Sequence, residues 1–258
     1  MQEYVAYLVL GVVQGLTEFL PVSSTGHLIV VRELLPLSPN EGLAVDAVLH
    51  LATAFAVALY FRRDLVRLAR SALAWVGGGV VEAVDRTLLI ALVIGTLPAV
   101  VLGILFQDTI EHVFREPQWV AYALIAGSVL FFVAERVGKQ QRELSVGRGF
   151  IIGLFQALAL VPGISRSGAT ISGGLLLGLK REDAARFAFL LSFPVILGAG
   201  LLKMGEVEMS GGVILAFIAA FVSGLAAISF LMKYLRTNSL DIFIVYRLIL
   251  AGIILYFL

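Results

Sequence analysis

Two short polar stretches interrupt an otherwise apolar chain, and between them they hold the residue types needed to grip and cleave a phosphate. The first reads Gln14-Gly15-Leu16-Thr17-Glu18-Phe19-Leu20-Pro21-Val22-Ser23-Ser24-Thr25-Gly26-His27. Gln14 and Glu18 are four residues apart and share one face of an entering helix. Ser24 and His27 are three apart and share a face of the departing one. Ser23 is placed to cap that second helix, whose free N–H groups then point into the hinge and favour phosphate or carboxylate. The second stretch reads Pro162-Gly163-Ile164-Ser165-Arg166-Ser167-Gly168-Ala169-Thr170. Ser165 repeats the cap, and Arg166 adds a permanent positive charge whose planar fork matches phosphate oxygens.

These groups sit in surroundings hostile to charge. Of 258 residues, 60% are hydrophobic and 14% charged, and the mean hydropathy is +0.99. A soluble domain of this size does not need so much apolar surface. The apolar residues gather in runs such as 88–106, 119–134, 213–232 and 240–258, long enough for helices that cross a hydrocarbon layer of about 30 Å. Only helices satisfy the backbone there. An ionisable group at that depth costs at least about 2.5 kcal/mol, so Glu18, His27 and Arg166 need a compensating role. Bland roles exist. Glu18 and Arg166 as an ion pair would lock two segments together, the serines would only cap helices, and His27 would be a satisfied interior histidine.

The expected architecture is an all-α polytopic membrane protein with six crossings, at 43–61, 87–106, 119–136, 185–203, 212–234 and 240–258. Four further segments form two pairs, 4–20 with 23–34 and 149–161 with 165–178, each hinged at a polar stretch. The last three of these reach only about 18–21 Å at 1.5 Å per residue. They read as re-entrant helix–turn–helix hairpins, tolerated at membrane depth where protein or a wet cavity covers them. At an offset of 142 the pairs share Gly11/Gly153, Gln14/Gln156, Leu16/Leu158, Ser23/Ser165 and Gly26/Gly168. Three crossings follow each hairpin, so a second copy would stand inverted relative to the first. The chain is thus expected to be one membrane domain, 1–258, with repeats of about 1–137 and 147–258.

Loop charges give an orientation. Arg62, Arg63, Arg67, Arg70, Arg86, Arg136, Lys139, Arg142, Arg148, Lys180, Arg181, Arg186, Lys233 and Arg236 fall on one side of the six-crossing arrangement. The other side holds Arg32, Arg115 and Lys203, with Glu3, Glu33, Glu41, Asp108, Glu111, Glu116, Glu206 and Glu208. The positive-inside rule makes the first side cytoplasmic. A net charge of +1 with no basic tract points to no nucleic-acid partner, and the absence of cysteine excludes disulfides and thiolate chemistry. Met1-Gln2-Glu3 lacks a basic leader, so the N-terminal apolar stretch is expected to be structural.

Secondary candidates are Asp46 and His50, which share a face near the outer surface and either line the site or bond to a hairpin. Arg247, beside Tyr246 in the last span, reads as an anchor or a snorkelling residue. The basic run at 62–70 reads as a solvated loop, and Gly77-Gly78-Gly79 as a linker, since no Lys-Ser/Thr follows to make a nucleotide loop.

Taken whole, the first stretch and the Pro-Gly-Ile-Ser-Arg-Ser-Gly-Ala-Thr stretch closely resemble the undecaprenyl-pyrophosphate phosphatase (bacitracin-resistance) family, with Gln14 as a permitted variant of that family's first acidic position. The likeness extends along the chain, including 46–53 and 189–198. It implies a membrane enzyme that hydrolyses polyprenyl (undecaprenyl) pyrophosphate to the monophosphate, recycling the carrier lipid of cell-wall glycan synthesis. It further implies Mg²⁺ or Ca²⁺, a site open to the outside of the cell (inner or plasma) membrane, and a homodimer. Expected roles follow. Ser24 is a nucleophile or a phosphate-positioning hydroxyl, His27 a general acid or base, and Glu18 a metal ligand or the base activating Ser24 or water. Arg166 clamps the pyrophosphate, with Gln14, Ser23, Thr25, Ser165, Ser167 and Thr170 as substrate-binding partners.

The competing class is transport. Inverted repeats with paired hairpins and a midplane anion site also suit a secondary transporter or a lipid-phosphate carrier. A carrier needs the phosphate grip of Arg166 and the helix ends, but it leaves the Glu18, Ser24 and His27 cluster without work.

Overall fold

The computed structural model describes residues 2–35, 42–106, 116–202, 204–206 and 209–257. Arg115, Lys203, Glu41, Asp108, Glu111 and Glu208, used in the charge argument, lie outside the described residues. Among the described residues there are eleven α-helices and no strand: α1 Gln2–Phe19, α2 Ser24–Leu34, α3 Gly42–Tyr60, α4 Arg62–Val76, α5 Ala83–Leu105, α6 Pro117–Val137, α7 Val146–Leu158, α8 Arg166–Leu176, α9 Arg181–Leu202, α10 Gly211–Tyr234 and α11 Asp241–Phe257.

Four of these, α5, α6, α9 and α10, are long and apolar enough to cross a membrane, and α3 qualifies together with α4 as a pair bent by 81°. The sixth expected crossing is α11, whose described portion is 17 residues. The two hairpins fall where the polar stretches place them. At 11, 13 and 11 residues, α2, α7 and α8 reach only about 16–20 Å.

Two expectations fail between α3 and α5. Residues 62–76 are a helix rather than a loop, because Leu65 and Leu68 at helical spacing dock against the core while the arginines face outward. Gly77-Gly78-Gly79 is its C-terminal cap rather than a linker. Gly77 and Gly79 donate to Leu73 and Ala74 at 3.0 and 2.8 Å, and Gly78 takes a φ of +78° that favours glycine.

Small residues let the helices meet closely, as expected where lipid supplies no hydrophobic contrast between helices. α1 packs on α10 with Gly11 against the Ala216 carbonyl, so that a Cβ there would collide with backbone. α7 packs on α5 in the same way, with Gly153 against the Gly95 carbonyl. Both helices are first members of a hairpin, and Gly11 and Gly153 are equivalent at the offset of 142.

The basic loops gather at one end. Asp64 of α4 pairs with Arg186 of α9, Glu135 of α6 with Arg181 of α9, Glu182 of α9 with Arg236, and Asp241 of α11 with Arg136. Glu135 is buried and also accepts the Leu240 N–H at 2.9 Å, so it fastens α6, α9 and the start of α11 together. The far end of α2 is instead tied to the start of α3 by Arg32 and Asp46.

Candidate functional site

Both hairpin tips are built on the same strained residue. Ser23 has φ 73° and ψ 100°, and Ser165 has φ 75° and ψ 117°. A non-glycine residue there is strained by about 1–3 kcal/mol and persists only when its surroundings hold it. Each serine hydroxyl caps the helix that follows, accepting the N–H of Gly26 at 3.4 Å and of Gly168 at 3.3 Å. The N–H groups of Ser24 and Thr25, and of Arg166 and Ser167, have no intrahelical acceptor. Two helix N-termini, those of α2 and α8, therefore converge with their positive ends on one space.

That space is a cleft of about 160 Å³ lined by Thr17 and Glu18 from α1, Ser23, Ser24 and Thr25 from the first tip, and His50 from α3. Ala159, Leu160, Pro162, Gly163, Ser165 and Arg166 from the second tip close it. Glu18 is its hub and is buried. One carboxylate oxygen, Oε2, accepts the Ser24 hydroxyl at 2.9 Å and the Gln14 amide at 3.1 Å, and the other, Oε1, lies 3.7 Å from Arg166 Nη1. His50 Nδ1 stands 3.3 Å from Gln14 Nε2 and 3.9 Å from Glu18. Within this Glu18 cluster two buried atoms are without a hydrogen-bond partner, Nη1 of Arg166 and Oε1 of Gln14. The first is a donor suited to a phosphate oxygen, and the second is an oxygen suited to a hard cation beside the Glu18 carboxylate.

Of the expected residues, Glu18, Ser23, Ser24, Thr25, Ser165 and Arg166 line the cleft, and Gln14 braces it from behind. Three others lie outside it. His27 Nδ1 bonds the Ser23 carbonyl at 2.8 Å and Nε2 bonds the Tyr246 hydroxyl at 2.6 Å, with the two rings stacked. The carbonyl requires the proton on Nδ1, so Tyr246 donates to Nε2. His27 thus braces the strained cap and does not line the cleft. The Ser167 hydroxyl crosses to the Leu20 carbonyl at 3.3 Å and ties the two tips together. The Thr170 hydroxyl turns back to the Arg166 carbonyl at 2.7 Å, a bond within its own helix.

Two residues weighed lightly from sequence gain importance. His50 belongs to the cleft wall, and its i, i+4 spacing with Asp46 carried the signal. Arg247 is fully buried, which rules out snorkelling. It donates to the carbonyls of Gly163 and Leu124 at 2.9 and 3.0 Å and to the Ser128 hydroxyl at 3.2 Å, and lies over the Phe131 ring. Its bond to Gly163 fixes the second tip. Tyr246 was not singled out, and only its place beside an arginine inside an apolar span pointed to it.

The described residues hold no group of three or more His, Asp or Glu side chains placed to bind a metal ion. The donor set here is one carboxylate, Glu18, with the free amide oxygen of Gln14 and the Ser24 hydroxyl. Such sparse oxygen donors fit a hard divalent ion that shares its remaining positions with phosphate oxygens and water.

The family model of the bacitracin resistance protein BacA matches residues 7–253. The undecaprenyl-diphosphatase of Pseudarthrobacter chlorophenolicus is 43% identical over 265 residues, covering 96% of this chain and 94% of that protein. The undecaprenyl-diphosphatase of Moorella thermoacetica is 43% identical over 254 residues, with 96% and 95% covered. That of Rubrobacter xylanophilus is 42% identical over 266 residues, with 98% of each covered.

Proposed function

The chain belongs to the family of the bacitracin resistance protein BacA, and on that premise we propose that it is an integral membrane phosphatase that hydrolyses undecaprenyl pyrophosphate. The products are undecaprenyl monophosphate and inorganic phosphate, which returns the carrier lipid to cell-wall glycan synthesis. The observation that carries the proposal is the hydrogen bond from Ser24 to the buried Glu18 carboxylate, at the meeting point of two helix N-termini and Arg166.

The residues divide the work as follows. Arg166 and the free N–H groups of α2 and α8 hold the diphosphate and stabilise charge developing on its terminal phosphoryl oxygens. Glu18 accepts the Ser24 proton as Ser24 Oγ attacks the terminal phosphorus. The bond from that phosphorus to the bridging oxygen breaks, and the lipid leaves as its monophosphate. Glu18 passes that proton to the departing lipid monophosphate and is a carboxylate again; water then attacks the phosphoserine, giving a proton to Glu18, which returns it to Ser24 Oγ as inorganic phosphate departs. Gln14 and His50 orient the carboxylate, while His27 through Ser23 and Arg247 through Gly163 hold the tips in place. A divalent ion, Mg²⁺ or Ca²⁺, would be held by Glu18 and Gln14 Oε1, and would neutralise diphosphate charge when bound.

The same reading treats the halves, about 1–137 and 147–258, as inverted repeats. The exchange of packing partners between halves, α1 on α10 and α7 on α5, supports it. Gathering of the basic loops at one end supports placing that end in the cytoplasm of a cell-membrane protein, with the cleft opening to the other side. A homodimer completes the proposal. A lipid-phosphate carrier would need the same anion grip, but the Ser24–Glu18 pair favours hydrolysis. The test is to supply purified protein with undecaprenyl pyrophosphate and a divalent ion. Stoichiometric release of inorganic phosphate and lipid monophosphate is expected, whereas binding without release would favour the carrier.

A further inference from the structure

α4 leaves α3 at 81°, so it turns sharply away from the apolar segment that it continues. About 100° of rotation per residue sorts its outer face into two neighbouring arcs. Val66, Ala69, Leu73 and Val76 form one, and Arg63, Arg67 and Arg70 form the next. Val66, Leu73 and Val76 are 50, 75 and 90% exposed. Such an arc is a liability in water and is at home against acyl chains just below the head groups.

The basic arc borders a groove of about 500 Å³, formed by Arg62, Arg63, Val66, Arg67, Arg70 and Ser71. Nearby carboxylates are already engaged. Asp64 pairs with Arg186 and Arg67, and Asp85 with Arg67 while accepting the Ser71 hydroxyl at 2.8 Å. Arg62 donates to the Leu59 carbonyl, whereas Arg63 and Arg70 have no ion-pair partner among the described residues. The groove is therefore net positive. One turn beyond Ser71 on α4, the ring of Trp75 lies 5.2 Å under the Arg86 guanidinium, and tryptophan is a residue type that anchors at the membrane interface. From His50 at 50 to Arg62 at 62 is about 18 Å of helical chain, so a head group in the catalytic cleft does not reach the groove.

We propose that α4 is an interfacial helix whose Arg63, Arg67 and Arg70 bind the phosphate of an anionic phospholipid, with an acyl chain against Val66 and Leu73. The guanidinium forks supply the phosphate contact and the apolar arc supplies the tail contact, a pairing that a soluble anion does not use.

The test uses the full chain in nanodiscs with Trp119→Phe, which leaves Trp75 as the only tryptophan. Trp75 fluorescence is quenched with brominated phosphatidylglycerol or, at equal mole fraction, brominated phosphatidylcholine. The anionic lipid is expected to quench at least about twofold more strongly. The two lipids should quench equally after Arg63→Gln with Arg70→Gln, and the preference should largely return with Arg63→Lys and Arg70→Lys. Phosphate release at the parent level reports that each variant is folded. Equal quenching in the parent overturns the proposal without reference to any variant. So does a preference that survives both glutamine substitutions, or one that millimolar inorganic phosphate abolishes at constant ionic strength, which would mark a soluble-anion groove.

Discussion

The Ser24 hydroxyl donates to Glu18 Oε2 at 2.9 Å, joining the helices on either side of the first tip through a base and the group it would deprotonate. The expected consequence is a shared loss. Ser24→Ala and Glu18→Gln should each lower phosphate release by at least about a thousandfold, and the double variant should be little worse than either alone. Steady-state assays at saturating lipid check this. Additive losses would separate the two residues.

Arg166 brings a fork as well as a charge. Arg166→Lys keeps the charge and loses the bidentate geometry, so kcat/KM should fall by about 10–100-fold, and Arg166→Ala should fall further. Full activity in the lysine variant would mean that simple charge neutralisation suffices.

Ser165 sits at φ 75° and caps α8. Alanine there keeps the strain and loses the cap, at about 1 kcal/mol, whereas glycine accepts the positive φ and loses only the cap. Thermal unfolding in detergent should therefore rank Ser165→Gly above Ser165→Ala, the reverse of the order expected inside a helix.

Gln14 Oε1 is buried beside Glu18 without a donor. If it helps hold a divalent ion, Gln14→Glu should lower the Mg²⁺ concentration for half-maximal activity, and Gln14→Leu should raise it, by about tenfold each way. EDTA should abolish turnover of the parent protein. An unchanged metal requirement in both variants would free Gln14 from that role.

Arg247 is the support most distant in sequence from the tips. Arg247→Met strands the Gly163 carbonyl at a cost of about 1–3 kcal/mol. Both the unfolding temperature and kcat should fall, with KM less affected, because the second tip loses its fixed position rather than its contacts.

The hairpins were legible because Ser23, Gly26, Ser165 and Gly168 repeat at a fixed offset, and because a serine before a helix is a local signal. The clustering of Gln14, Glu18 and Ser24 was legible for the same local reason, all three lying within eleven residues. The contacts of His27 were not legible, because i, i+3 spacing to Ser24 says only which way a side chain leaves its helix. Its partner, Tyr246, comes from α11, and that is tertiary information. The contacts of Thr170 and Ser167 were hidden for a related reason: their hydroxyls find backbone carbonyls that the sequence does not locate. α4 escaped notice because arginines alternate with its apolar residues along the sequence, leaving no apolar run, and its start lacks a capping side chain, Phe61 standing at the N-cap. Its helix is held by docking Leu65 and Leu68, and only the glycines at 77–79 mark one of its ends.

The most direct test of the central claim is to mix the protein with undecaprenyl pyrophosphate labelled in its terminal phosphate and quench in acid within a single turnover. The account predicts label on Ser24, absent in Ser24→Ala and in Glu18→Gln. Turnover with no label on the protein, together with parent-level activity in Ser24→Ala, would contradict it and assign the attack to water.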